Sequence, residues 1–405
     1  MEPVTPQPIA VKATPTLPWD RVDFYGCRPI DSDYGYYEQT GRWPRYRLRS
    51  RACTREELIA RIEDLTATRV TQVWTIESPN VRSVREAPFL QDAVVRRVRK
   101  DAKSGIKSGI LHLVVWLSLA FMITRIEYGA YMHYLPGVLI PAAFFGFFPL
   151  VRGCASLIGA RNFSPASLRR SARTMRFQEW LARGRAPTIQ NLCIALIALG
   201  SMQLIIDDSS PFKMPASLDS AGLLKSEVRN GEYWRLITGT LLHGGSAHLF
   251  MNCFALFLLG RFVVQLTNGP MASLVLFLSA LGGSLASLVF MPDIPTVGFS
   301  GAILGLFGFL VALGRRRPSV IPRNFRRLLF ADLIFITLVG LALFQIIDNA
   351  AHLGGLLTGG LIGFAAISRH GSEFPVAPRA GVNALGWASH AVLMGFVGLT
   401  FWKCL

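Results

Sequence analysis

A serine, a histidine and a cluster of further polar residues, each set in its own apolar stretch, are the parts of this chain that could do chemistry. Ser300 lies in Gly298-Phe299-Ser300-Gly301. Pro292 and Pro295 just before it interrupt the preceding helix and set the serine at the first turn of the next one. Backbone N–H groups are free at such a start and can stabilise negative charge. His352 opens a second stretch, in which Gly355, Gly359 and Gly363 recur every four residues. That spacing leaves a bare ridge along one helix face, and Gly301 and Gly305 make a matching notch beside Ser300. Packing of ridge into notch would bring His352 to Ser300, where an imidazole could take the hydroxyl proton and create a nucleophile.

The third group is His243-Gly-Gly-Ser-Ala-His248-Leu-Phe-Met-Asn252. His248 and Asn252 are four apart and share one helix face. His243 falls about 140° away, and no Glu follows it, so a zinc helix of the His-Glu-x-x-His type is excluded and no metal is expected. Each group also has a plainer interpretation. The histidines could cap a helix at the membrane interface, the serine could bond back to its own backbone, and the glycines could serve packing alone. Asp348, one turn before His352, could orient the ring as a third triad member or cap its helix, the commoner role for Asp.

These residues need helices in a particular solvent to hold them. Only 17% of the 405 residues are charged against 51% hydrophobic, where a soluble protein carries about 25% charge. Mean hydropathy is +0.38, which argues against a soluble enzyme and against disorder. The 6 cysteines include no Cys-x-x-Cys pair, which removes a disulfide framework and a zinc ribbon. Lys plus Arg outnumber Asp plus Glu by 42 to 25. This excess sits in the N-terminal third or beside apolar runs, the pattern of a membrane protein rather than of nucleic-acid recognition. Apolar runs long enough to be membrane helices occur near 108–124, 134–151, 189–206, 246–265, 270–291, 298–314, 328–346, 350–368 and 384–402. The first two, short or proline-bearing, could form a shallow hairpin, which leaves seven spans or nine.

The expected organisation is a basic cytoplasmic region at 1–107, a hydrophobic hairpin at 108–151, a basic linker at 152–188, a six-helix core at 189–370, and a linker with one further C-terminal span at 371–405. Five prolines up to Pro18 predict a flexible tail, and no signal peptide opens the chain. Thr54-Arg-Glu-Glu57 predicts a capped helix, and Arg69 to Ile76 a short strand, so a small α+β domain fits here. Arginine-rich loops at 152–187 and 315–327 should be cytoplasmic. The N-terminus is then inside, and the 207–245 loop, like the C-terminus, is outside. Asp332, the one acid well inside a run, reads as a cap at a helix start.

Taken together, the three motifs resemble the rhomboid family of intramembrane serine proteases, in their order and on the second, fourth and sixth core spans. Trp234-Arg235 resembles the Trp-Arg pair that packs the family's outer loop. The likeness covers about residues 189–370. It implies an all-α polytopic fold with a six-helix rhomboid-like core, Ser300 as nucleophile and His352 as general base. It implies an oxyanion hole of His248, Asn252 and the Ser300 N–H, with His243, Gly298, Gly301, Gly355, Gly359, Trp234 and Arg235 in support. It implies no cofactor, and substrates that are transmembrane helices of other proteins in the bilayer, cut near their outer ends with the active site facing the exterior of a cell membrane. The family often has an aromatic residue four after the serine; here it is Leu304. Two competing readings are a non-catalytic binder of client membrane helices and a transporter. The first usually lacks the serine or the histidine, and the second would carry a carboxylate or an inverted repeat.

Overall fold

The structure is a computed structural model that describes residues 17–405 apart from 30–31, 41–46, 65–69, 127–137, 139–140, 162, 209–214, 343–346, 370–373, 377 and 380. The expectations for residues 1–16, for Arg69 and for Pro136 therefore lie outside the described residues.

The N-terminal part mixes sheet and helix. Strands β1 (Tyr34–Thr40), β2 (Arg47–Cys53), β3 (Gln72–Thr75) and β4 (Ser78–Ser83) form an antiparallel sheet in the order β2-β1-β3-β4. Helix α1 (Arg55–Glu63) starts at Thr54 with a reciprocal capping box to Glu57, which satisfies two free backbone donors. It buries Leu58 and Ile62 against Val73, Val84, Leu90 and Val94. The strand expected from Arg69 is confined to Gln72–Thr75.

Helix α2 (Gln91–Ile126) leaves this module as one rod of 36 residues. It returns through α3 (Phe148–Arg161), preceded by a π-helical turn at Ala142–Phe147. Gly109 lies against the Gly146 carbonyl and Gly153 against Ile106, so the two arms touch along small residues. The basic stretch that follows is helical as well. In α4 (Pro165–Arg183), Ser164 caps through Ser167, and Pro165 occupies the first turn.

The core helices are α5 (Pro187–Asp208), α9 (Ser246–Leu266), α10 (Gly269–Phe290), α11 (Ser300–Arg316), α12 (Arg323–Ala342) and α13 (Asn349–Ala366), with α14 (Val382–Cys404) against α10. Between α5 and α9 the outer loop folds into three short helices, α6 (Ala216–Ala221), α7 (Lys225–Arg229) and α8 (Arg235–Leu241). Among the described residues five helices are long and apolar enough to cross a membrane: those holding Pro88–Ile123, Pro187–Asp207, Ser246–Leu266, Gly269–Phe290 and Val382–Cys404. Helix α11, at 17 residues, is about 26 Å long. Nearly all of it is buried by its neighbours, so it meets protein on every side.

Two expectations are corrected. In the described part of the segment expected to be a flexible tail, Leu17–Asp20, Trp19 is fully buried and packs on Phe177, Trp180 and Phe374. Burying an indole outweighs the local effect of proline, and Pro18 at the first position favours the 3-10 turn it starts. Asp332 is not at a helix start. Helix α12 begins at Arg323, after Pro322, and so carries Asp332 into its middle.

Candidate active site

Ser300 is the first residue of α11 and His352 the fourth of α13. His352 Nε2 lies 2.7 Å from Ser300 Oγ. The approach depends on glycine. A side chain at Gly355 would run into the Gly301 carbonyl, and one at Gly359 into the Gly305 carbonyl. Further along, Gly308 faces the Leu356 carbonyl and Gly363 the Ala312 side chain. From Gly301 to Gly308 of α11, about two turns, the two backbones are in contact, closer than a residue with a Cβ allows.

Asp348 caps α13. Its Oδ1 accepts from the Ala351 N–H at 2.8 Å, and its Oδ2 from the Ser287 hydroxyl of α10. The carboxylate thus fixes the start of the helix that carries His352.

His248 is near the start of α9. Its Nδ1 accepts from the Gly244 N–H at 3.3 Å, so the neutral ring carries its proton on Nε2. The ring lies against Gly298, which has φ +124°; a Cβ there would sit 2.6 Å from Cε1 and 2.9 Å from Nε2. Glycine is needed twice at this position, for its left-handed backbone and for the imidazole beside it. Asn252 Nδ2 donates to the His248 carbonyl at 3.1 Å, which leaves its second amide proton available. His243 is 2% exposed, its ring edge-on to His248 at 5.2 Å between centroids. Leu304 is buried.

Trp234 and Arg235 shape the outer loop. The Arg235 guanidinium donates to the carbonyls of Asp219 and Gly222 at 3.0 and 2.9 Å, pairs with Glu232 and covers the Trp234 ring. Lys403 Nζ lies over the same ring at 4.6 Å.

Two contributors were not singled out from the sequence. Gln203 of α5 brackets His243: Nε2 donates to its carbonyl at 2.7 Å, and Oε1 accepts from its N–H at 2.9 Å. A glutamine inside an apolar helix was the available signal. Lys225, fully buried at the start of α7, donates to the Ile294 carbonyl at 2.7 Å and to Thr296 Oγ1 at 3.2 Å. Leu223 and Thr296 exchange two backbone hydrogen bonds beside it, and the Gly298 N–H donates to Gly239. The outer loop therefore holds the segment that leads into Ser300. Burial pushes the Lys225 ammonium pKa below its ordinary value, while Asp348 and Asp293 draw it back up. Its signal was weak, since one lysine in a polar loop has many uses.

The arrangement can perform acyl transfer. A hydroxyl is in hydrogen-bond contact with an imidazole, and the His248 ring and the free N-terminus of α11 are nearby.

Residues 230–369 match the Rhomboid domain. The chain is 37% identical over 161 residues to RHOMBOID-like protein 6, mitochondrial, of Arabidopsis thaliana, covering 38% of this chain and 52% of that protein. It is 36% identical over 187 residues to Rhomboid protease GluP of Bacillus subtilis, covering 45% and 35%. It is 34% identical over 143 residues to YdcA of the same bacterium, covering 35% and 71%. The chain thus spans about half or less of the first two relatives.

Proposed function

The chain belongs to the rhomboid family, and on that premise we propose that it is an intramembrane serine endopeptidase working by a Ser300–His352 dyad. It is an integral multi-pass membrane protein. The observation that carries the proposal is the 2.7 Å contact between His352 Nε2 and Ser300 Oγ.

In the proposed reaction His352 Nε2 takes the hydroxyl proton as Ser300 Oγ attacks a peptide carbonyl. The oxyanion that forms is met by the Ser300 N–H, His248 Nε2–H and the free Asn252 amide proton. The imidazolium then gives its proton to the leaving amine, and an acyl ester remains on Ser300. Water, deprotonated by the same ring, hydrolyses the ester and restores the serine. His243, held by Gln203, supports His248. A fully hydrogen-bonded helix hides its peptide bonds, so the substrates are transmembrane helices that unwind near one end. The arginine-rich Arg315–Arg327 loop supports an exterior position for that end and a cytoplasmic one for the N-terminal module.

The test expresses the native chain and Ser300→Ala with a panel of single-span membrane proteins. Cleavage by the native chain that Ser300→Ala loses supports the proposal, together with fluorophosphonate labelling that His352→Ala blocks. Cleavage equal in both would overturn it. Retention of uncut helices by the native chain, without labelling, would point instead to a binder of client helices.

A further inference from the structure

We infer that the notch between α2 and the end of α3 is a binding site for the phosphate of an anionic phospholipid. It is a cavity of about 290 Å³ whose wall carries Arg96, Arg99 and Arg161, with Asp92 and Phe163. Three arginines line it from two helices, and guanidinium presents paired donors that match phosphate oxygens. Two carboxylates stand against the three arginines, which leaves one positive charge in excess. Arg96 pairs with Glu63 at 2.7 Å, and Asp92 lies in the wall. Arg99 spends one donor on the Ala160 carbonyl at 3.3 Å, which fixes its head at the mouth.

Position selects a lipid. From Arg99 the exposed face of α2 continues through Lys103 and Lys107, in steps of four residues on one side of the helix. Directly beyond, Ile110, Leu111, Val114 and Val115 are each at least half exposed. Arg99 lies about 12 Å along the axis from Lys107, within reach of the headgroup layer for a tilted helix and a long arginine arm. A phosphate in the notch would have its acyl chains beside that apolar face and cationic side chains between the two. A soluble phosphate would use the arginines and leave the apolar face unused. The inference does not depend on Ser300 being reactive.

The test uses the full chain in nanodiscs of phosphatidylcholine and phosphatidylglycerol with matched acyl chains, with retained lipid read by native mass spectrometry. The native chain is expected to keep phosphatidylglycerol preferentially. Arg99→Gln with Arg161→Gln should reduce that preference about fivefold for each arginine removed. A charge-matched control, Arg49→Gln with Arg82→Gln on the sheet, should not. Arg161→Gln alone spares the Arg99–Ala160 bond and gives the same reading if the double variant folds poorly. Equal retention in native chain and variants, or an equal loss in the control, overturns the site. Displacement of the lipid by soluble glycerophosphate would assign the notch to free phosphate and overturn it as a lipid site.

Discussion

At the scale of single residues the proposed chemistry rests on where protons sit. His248 gives its Nδ1 lone pair to the Gly244 N–H, which turns Nε2–H into a donor before any substrate arrives. Preorganised donors of this kind act where water is excluded and are worth most there. Replacing His248 or Asn252 by Ala should each lower kcat by about 10²–10³ with a small change in KM, measured on any substrate the native chain cleaves. Equal losses in kcat/KM that come from KM alone would show that these groups bind rather than stabilise. Lys225 acts at one remove. Lys225→Met leaves the Ile294 carbonyl and Thr296 hydroxyl without a buried cation, an interaction worth about 1.5–3 kcal/mol. Its expected effects are a lower Tm and slower fluorophosphonate labelling of Ser300, because the segment that holds Gly298 loosens. An unchanged labelling rate would limit Lys225 to stability.

At the scale of elements the glycine ridge decides whether the two groups proposed to react meet. Gly355 and Gly359 of α13 rest directly on the backbone of Gly301 and Gly305 in α11. Neither helix can shift without moving Ser300 or His352. Gly355→Val or Gly359→Val inserts a branched side chain where backbone already stands, and overpacking costs about 1–3 kcal/mol or more. Both variants should lose labelling and cleavage while the membrane spans still insert, as read by protease protection of the outer loop. Full activity in either would mean that the close packing is dispensable. The period of four made the ridge legible in the sequence. Helix α13 was also legible at its start, where Asp348 caps it. The position of Asp332 was not, because the apolar run that marks the span begins at 328 while its helix starts at Arg323, behind Pro322.

At the scale of the whole molecule the N-terminal module is fastened to the core. Trp19 is fully buried between Phe177, Trp180 and Phe374, and Arg173 holds Asp20 through two bonds of 2.8 Å. Trp19→Ala should lower stability by about 3–5 kcal/mol, seen as a fall in Tm of the detergent-solubilised protein. A second contact is pH-sensitive. Gln72 of β3 reaches Glu179 of α4 at 3.4 Å, and burial raises the pKa of that carboxyl despite Tyr25, Arg183 and Gln72 beside it. A pKa raised in the folded state stabilises below the ordinary carboxylate range and is lost as pH rises through the raised value. Hydrogen exchange at Gln72–Thr75 should therefore quicken as pH rises through the raised pKa, beyond the intrinsic rate increase. Glu179→Gln should remove that excess, and the same excess in the variant would exclude Glu179 as its source.

The sequence by itself determined the solvent and the helices, and its resemblance to a family pointed to the proposed reacting groups. Hydropathy, proline breaks, glycine periods and arginine placement are local signals that act through the bilayer and through helix geometry. That is why Ser300, His352, His248 and Asn252 stood out as polar residues within apolar runs, while their proposed roles came from the resemblance of the motifs that hold them. The tertiary structure alone decided which atoms face one another. The proton position on His248 depends on a loop N–H, the clamp on His243 comes from another helix, and Lys225 finds its acceptors about seventy residues away. Trp19 likewise became core only because three aromatic residues far along the chain converge on it. Contacts between distant segments are fixed by packing, and no local pattern encodes their partners.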